Sequence, residues 1–308
     1  MTALLLLPLL VPFALPALSR RALDRLAPGT ALWVITTSAV ALAGCCLAAL
    51  GAFFLTGLLK LPFFAALGEL VQPLHTASDQ YVLPLTALSV GGLAVCAGTL
   101  ARTVLRQTRA FRAARTEAGR RPAVGDLCVV DSPCPDAYAL PGRPHRIVVT
   151  TGMLRSLDGA EREALFAHER AHNTGGHHFF LAAAELAAHC HPALRRVRDV
   201  VRLAVERSAD EAAASAVGDR RLTARAIARA ALAGQGAAAE RPAFVSGAAS
   251  GPVPQRVEAL LAPRGRRRAG AWVAALLVAC AGLSCVASAT GMVDFHHRVE
   301  VAQGETER

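Results

Sequence analysis

The sequence has little charge, almost no lysine and few aromatic residues. Charged residues make up 18% of the 308 residues and aromatic residues 5%, whereas hydrophobic residues reach 53%. A soluble chain of this size usually carries about 25% charged residues. Lys60 is the only lysine, so nearly all of the positive charge is arginine. Charge is missing mainly from a few long runs, which excludes a purely soluble enzyme and indicates a multi-pass membrane protein.

The sequence also lacks any CxxC pair among its eight cysteines. Five of the cysteines lie inside the apolar runs, where free cysteine behaves as a small hydrophobic residue. The absence of paired spacing excludes the usual zinc sites built from cysteine, and we expect no disulfide framework.

Four apolar runs are long enough to cross the hydrocarbon core of a bilayer, which takes about 20 residues. They are residues 2–19, a stretch within 26–59, residues 80–101 and residues 269–293. The first run differs from a signal peptide because its positive charges follow the apolar residues instead of preceding them. We therefore expect it to be retained as a membrane helix.

Arginines follow the first and third runs and precede the fourth. The positive-inside rule then places the N-terminus outside and these arginines in the cytoplasm. The predicted organisation is three membrane helices in residues 1–121, a cytoplasmic domain in 122–265, a fourth helix in 266–293 and an extracytoplasmic tail in 294–308. The expected location is a bacterial inner or plasma membrane.

The basic stretches raise the alternative of nucleic-acid binding, because clustered arginines neutralise phosphates. Only Phe111 is interleaved with them as a stacking aromatic, and each stretch adjoins an apolar run. Arginines next to a membrane are attracted to anionic lipid headgroups, which explains the charge without a nucleic acid. We therefore expect membrane lipids as partners and no direct nucleic-acid binding.

The motif that indicates chemistry is HExxH, residues 168–172. Histidines four residues apart lie on one face of a helix, so His168 and His172 can bind one metal ion. Glu169 between them is near enough to act as a general base without binding the metal. Asp158 and Glu161 have the spacing of a capping box, which predicts a helix of about fourteen residues that ends at the following glycines.

A hydrolytic zinc site needs a third protein ligand. Glu206 and Asp210 lie four residues apart on a later predicted helix, and either of them, or Glu211, is a candidate. We expect Glu206 to be the ligand and Asp210 to orient a ligating histidine by hydrogen bonding. His177 and His178 lie beyond the glycines and are interpreted as structural, and the later histidine pairs His189/His191 and His296/His297 are not expected to bind metal.

HExxH followed by ExxxD resembles the gluzincin metallopeptidases of the HtpX and CAAX-prenyl-peptidase kind, and more closely the BlaR/MecR antirepressor peptidases. The segments 146–152 and 256–260 resemble their substrate-pairing strand and their late RIxxL segment, and the order of spans is similar. The resemblance implies a mainly α (α+β) gluzincin-like domain with one Zn²⁺ per chain, held by His168, His172 and Glu206, with Glu169 as the catalytic residue. It also implies that extended substrate pairs with the strand at 146–150.

The sequence departs from these families in two places. The antirepressors carry a penicillin-binding sensor domain after the last span, and this sequence ends about fifteen residues after it. HtpX-type enzymes often have a His-Pro before the RIxxL arginine, which is absent here. The resemblance therefore does not extend to β-lactam sensing, and it identifies no group that stabilises the oxyanion.

These observations predict a membrane-anchored zinc endopeptidase that cleaves a cytoplasmic protein, such as a transcriptional repressor or the chain itself, in signal transduction. The alternative is a non-catalytic signalling scaffold whose metal site is structural or vestigial. A transporter is a weaker alternative, since the apolar runs carry no charged residue that would form a transport pathway.

Overall fold

A computed structural model describes residues 2–67, 79–120, 123–234, 252–262 and 270–303. Within these ranges the chain is mostly helical. The helices are α1 (Thr2–Leu10), α2 (Leu15–Arg25), α3 (Pro28–Leu58), α4 (Pro62–Leu67), α5 (Asp79–Arg120), α6 (Thr151–Ser156), α7 (Gly159–Thr174), α8 (His177–Cys190), α9 (Pro192–Val217), α10 (Arg220–Ala233), α11 (Val253–Leu261) and α12 (Ala271–Ala302). The strands are β1 (Ala123–Val124), β2 (Leu127–Val130), β3 (Ala137–Leu140) and β4 (Arg146–Thr150).

Four helical stretches among the described residues are long and apolar enough to cross a membrane, judged by length and composition. They coincide with the four apolar runs and comprise Leu4–Arg25, Pro28–Leu58, Pro84–Arg120 and Ala271–Ala302. The helices themselves are longer than the last two apolar runs, because α5 continues as a helix beyond Ala101 to Arg120 and α12 continues to Ala302. In α12 the extension carries the i,i+4 ion pairs Asp294–Arg298 and His296–Glu300, which stabilise a helix.

The strands form one small sheet in the order β1-β2-β4-β3. Strand β4 runs parallel to β2 on one side and antiparallel to β3 on the other. Both edges of β4 are therefore hydrogen-bonded within the protein. The expectation that substrate pairs with residues 146–150 is wrong for this reason, since an added strand needs a free edge.

Helix α7, which carries HExxH, begins at the predicted capping box. The Asp158 carboxylate accepts from the Glu161 backbone N–H at 2.9 Å, and the Glu161 carboxylate accepts from the Asp158 backbone N–H at 3.0 Å. The helix has 16 residues and ends at the glycines. Gly176, with φ of 60°, adopts the left-handed conformation that turns the chain into α8. The predicted start, end and approximate length of the helix are thus confirmed.

Helices α8 and α9 pack against the long apolar helices instead of standing apart from them. One continuous core contains residues of α2, α3, α8, α9 and α12. Ile35 and Leu42 of α3 lie in it with Val197 and Val201 of α9, and all four side chains are fully buried or nearly so. Helix α9, which carries Glu206 and Asp210, is therefore held in place partly by the helices that are apolar enough to cross a membrane.

Glu161 also links α7 to α10. Its fully buried carboxylate accepts from Arg225 at 2.9 Å and from Arg229 at 2.9 and 3.0 Å. Burial raises the pKa of Glu161, but the Asp158 N–H and the two arginines outweigh it, and the net shift is downward. The stabilisation is therefore present above the ordinary glutamate pKa and is lost as the pH falls through the lowered value.

Glu161→Ala removes half of the capping box and leaves two arginines without their partner. We expect the free energy of unfolding to fall by about 1–2 kcal/mol, measured by thermal unfolding of the detergent-solubilised protein at neutral pH. Glu163→Ala, on the exposed side of the same turn, is the matched control. Equal melting temperatures for the two variants would contradict the structural role given to Glu161.

Candidate metal centre

Three side chains from two helices converge on one buried point. His168 and His172 extend from α7, and Glu206 extends from α9, which packs against it. The two Nε2 atoms are 3.0 Å apart. Glu206 places Oε2 3.5 Å from Nε2 of His168 and Oε1 3.9 Å from Nε2 of His172. All three side chains are at most 4% exposed.

This arrangement fits a metal ion. Ligands bound to zinc at about 2.0–2.1 Å in a tetrahedron lie roughly 3–3.5 Å apart, close to the separations observed. Among the described residues, His168, His172 and Glu206 are the group of histidine, cysteine and carboxylate side chains that lie near enough to hold an ion. Two imidazoles and one carboxylate are the protein ligands of many hydrolytic zinc sites.

The charges of the surrounding residues also favour a divalent cation. Glu169 is completely buried beside the two histidines, and Asp210 is 1% exposed one turn beyond Glu206. With the histidines neutral, as metal binding requires, the carboxylates of Glu169, Glu206 and Asp210 and the buried Arg256 leave a formal charge of −2, three negative against one positive. Buried charge is costly unless it is paired or bound to a metal. An ion of charge +2 would neutralise the cluster.

Each histidine has a polar side chain close to its other ring nitrogen. Nδ1 of His168 lies 2.9 Å from the Asp210 carboxylate, and Nδ1 of His172 lies 2.9 Å from Nδ1 of His177. The Asp210 contact is the one that its expected orienting role requires. The contact of His177 was not anticipated from the sequence, where this residue was interpreted as structural because two glycines separate it from the motif. The turn at Gly176 brings it back beside His172.

Arg256 is the residue of the site that sequence reasoning missed. It reaches in from α11 and is 0% exposed. Its guanidinium donates to both oxygens of Asp210 at 2.7 and 2.9 Å and lies 2.9 Å from Glu206. The resemblance placed it in a family-like segment without a role. The sequence does contain a signal, since Arg256 falls on the same helical face as the apolar Leu260, which is also buried.

The pKa values follow from burial and these contacts. Burial lowers the pKa of His168, but Asp210 and Glu206 outweigh it and raise the value to about 9. Burial lowers the pKa of His172 well below its ordinary value and that of His177 to about 4. Burial raises the pKa of Glu206, yet the Arg256 charge brings it far below its usual range. Without metal, the imidazole of His168 is therefore protonated between the carboxylates, whereas the imidazoles of His172 and His177 are neutral.

The remaining candidates lie elsewhere. Glu211, a rival third ligand, is ion-paired with Arg220. Asp210, the other rival, contacts Arg256 and the far side of the His168 ring. His191 contacts the carbonyl oxygen of Leu9 at 3.1 Å. His296 and His297 were expected in a tail and instead lie on α12.

The alanine- and glycine-rich stretch interpreted as a loop, and the arginines 264–268, fall largely outside the described residues.

Comparison with known proteins gives one family. Residues 101–191 match the sequence model of Peptidase family M48. No curated protein and no solved structure matches the chain. The matched segment contains the sheet and the HExxH helix but ends before Glu206, so the position of Glu206 beside the two histidines adds to the family match. Together they support a gluzincin-type metallopeptidase and do not distinguish a BlaR/MecR-type specificity.

His177→Ala removes the hydrogen-bond partner of Nδ1 of His172. Residues that orient a metal-binding histidine contribute about 10–100-fold to metal affinity, and we expect a loss of zinc affinity at the lower end of this range. The measurement is competition of the purified protein with a chromophoric zinc chelator. His178→Ala alters the adjacent, less buried histidine and should leave affinity unchanged. Equal losses in both variants would show that the His172 contact is not responsible.

Arg256→Met leaves Glu206 and Asp210 buried without their cation. Removing one partner of a buried ion pair typically costs about 3–5 kcal/mol, so a large fall in the thermal unfolding temperature is expected. Arg196→Met, at an exposed position on α9, should change stability by no more than about 0.5 kcal/mol. A stable Arg256→Met protein with full metal content would refute the charge balance described here.

Proposed function

We propose that the chain is a membrane-anchored zinc endopeptidase that cleaves a cytoplasmic protein. The observation that carries the proposal is the convergence of His168, His172 and Glu206 on one buried point, with Glu169 next to the first ligand. Three protein ligands are the number found in catalytic zinc sites, which leave a position for water or substrate. The family match over the HExxH segment supports the same reaction class.

Each residue of the site has a separate role in peptide hydrolysis. When bound, zinc supplies a Lewis acid that polarises the substrate carbonyl and makes water more acidic. Glu169 accepts the proton of the attacking water and passes it to the leaving amine. Asp210 and His177 fix the orientation of the two imidazoles through Nδ1, so that each presents Nε2 to the same point. The positive charge of Arg256 offsets the negative charge of Glu206 and Asp210.

Substrate in extended form is proposed to pair with β3. This strand is bonded to β4 on one side, and among the described residues no strand pairs with its other side. Ala139 of β3 and the following Pro141 line a small depression together with His172 and His177. A peptide added at this edge would be recognised mainly through its backbone and would pass beside the metal ligands.

The four long apolar helices support membrane anchoring, and the arginines that flank them support a cytoplasmic peptidase domain. The resemblance to antirepressor peptidases makes a transcriptional repressor, or the chain itself, the candidate substrate in a signalling pathway. No direct contact with nucleic acid is proposed.

A non-catalytic scaffold with a structural metal is the alternative, and it would need a fourth protein ligand. The nearest candidates are Asp210 and His177. Both contact the Nδ1 atoms of the histidines, whereas the Nε2 atoms point at the common centre with Glu206. The geometry therefore favours the hydrolytic site.

Glu169→Gln tests the proposal, because it removes the general base and retains the shape of the side chain. We expect at least a 100-fold loss of cleavage with one zinc per chain retained. The purified protein is assayed in detergent micelles against an unfolded fluorescent reporter protein and against its own chain, and metal is measured by elemental analysis.

Glu163→Gln, on the exposed face of α7, is the matched control and should cleave like the wild type. Cleavage by Glu169→Gln at the wild-type rate would refute the assigned mechanism. Zinc in every variant with no cleavage even by the wild type would favour the scaffold.

A further inference from the structure

The turn between α8 and α9 lies deep among the apolar helices. The Cys96 thiol of α5 donates to the carbonyl oxygen of His189 at 3.0 Å, and Nε2 of His191 lies 3.1 Å from the carbonyl oxygen of Leu9. The ring of Phe13 packs edge-on against His191, with centroids 4.9 Å apart. Leu9 and Cys96 lie well inside two of the stretches long enough to cross a membrane.

Helix α8 reaches this point by running alongside α3. Near its start the Phe180 ring packs edge-on against Trp33, with centroids 4.8 Å apart. One turn further, Ala183 lines the same cavity as Val40 and Ala41. Leu181, Ala184 and Ala187 then continue the buried face that packs on the apolar helices. The start of α8 lies beside Trp33, and its far end contacts Leu9, whose neighbour Pro8 accepts from the Cys46 thiol of α3. Helix α8 therefore advances in the same direction as α3.

We propose that α8 and the first half of α9 form a re-entrant hairpin that enters the bilayer from the cytoplasmic side. The proposal rests on the membrane anchoring in the proposed function. If α1 and α5 cross the membrane, residues that contact them at Leu9 and Cys96 lie at the depth of the hydrocarbon. The outer face of the hairpin is then an interaction surface, and the partner that contacts it is the acyl chains of the lipids.

The exposed face of α8 has the composition expected of a lipid contact. Phe179 is 70% exposed and Leu186 43%, and on the neighbouring face of α3 Trp33 is 62% and Val40 47% exposed. These surfaces flank a mostly apolar cavity of about 630 Å³. An exposed apolar area of this kind is unfavourable in water and is typical of membrane or ligand contact.

A second flank of the hairpin is polar and part of its charge is paired, while Arg195 and Arg196 of α9 are exposed. Glu185 of α8 accepts from Arg198 at 3.4 Å and from Arg202 at 3.0 Å, both on α9. Ionisable groups at membrane depth pair with one another and face a water-filled space. We infer that α9 borders an aqueous cleft while α8 faces lipid.

The hairpin determines how far the metal site lies from the centre of the membrane. Arg207, next to the ligand Glu206, donates to the carbonyl oxygen of Leu23 at 3.1 Å, just beyond Arg20 and Arg21, where the first apolar run has ended. Glu206 is fifteen residues from His191, about 22 Å along the helix. The site therefore lies at the membrane surface, and the substrate class favoured is a segment held close to that surface.

Tryptophan fluorescence in vesicles tests the hairpin without using activity. Trp33 and Trp272 are the two tryptophans of the chain, and both are replaced by phenylalanine. Single probes are then placed at exposed apolar positions. They are Leu186→Trp on the hairpin, Val286→Trp on α12 and Val129→Trp on the sheet. Each protein is reconstituted into phosphatidylcholine vesicles whose acyl chains carry bromine, a short-range quencher, near their middle.

The expected result is that Leu186→Trp and Val286→Trp lose most of their fluorescence relative to unbrominated vesicles, and Val129→Trp loses none. Quenching of Val286→Trp with none at Leu186→Trp would overturn the hairpin and leave membrane anchoring intact. No quenching at either position would overturn both. Trp272→Phe alone, which retains the native Trp33 on α3, reads the membrane anchoring separately and requires no new tryptophan. It should be quenched by bromine placed nearer the headgroups.

Discussion

The ionic contact between Arg256 and the carboxylates of Glu206 and Asp210 is the interaction on which the site depends. A buried guanidinium beside two buried carboxylates is stable only when its geometry is well fixed. Here Arg256 donates two hydrogen bonds to Asp210, at 2.7 and 2.9 Å, and lies 2.9 Å from Glu206 in an ion pair. The pair joins α11 to α9, and the contact of the Asp210 carboxylate with Nδ1 of His168, at 2.9 Å, joins α9 to α7. With Glu169 included and the histidines neutral, as metal binding requires, the single charge of Arg256 is too small to balance three carboxylates, and a divalent cation would complete the balance.

Helix α9 connects this core to the proposed membrane region. Its C-terminal half carries Glu206 and Asp210, and its N-terminal half packs with α8 against α2 and α3. Because the two halves belong to one continuous helix of 26 residues, a displacement of the apolar helices would move the third ligand relative to the two histidines on α7. This gives a physical route by which an event in the membrane could change the geometry of the metal site. A sensor that acts on the spans would need no contact with the site itself.

Local features of the sequence predicted the parts of the structure that depend on local rules. The spacing of His168 and His172, the capping box at Asp158 and the four apolar runs all follow from helix geometry and hydrophobicity. The contacts of Arg256 could not be predicted in this way, because its partner Asp210 is 46 residues away and depends on how α11 docks. The central position of β4 and the edge position of β3 could not be predicted either. Strand order depends on tertiary packing and not on local sequence. The packing of α8 on α3 was missed for the same reason, since an apolar helix does not reveal its partner.

The coordination of the bound metal tests the central claim most directly. X-ray absorption at the zinc edge of the wild-type protein in detergent, with stoichiometry from elemental analysis of the same sample, reports the number and type of ligands. The account predicts one zinc per chain, a shell of nitrogen and oxygen at about 2.0–2.1 Å, the multiple-scattering signal of two imidazoles and no sulfur. A folded protein without metal, a shell with three or four imidazoles, or a sulfur ligand would contradict it.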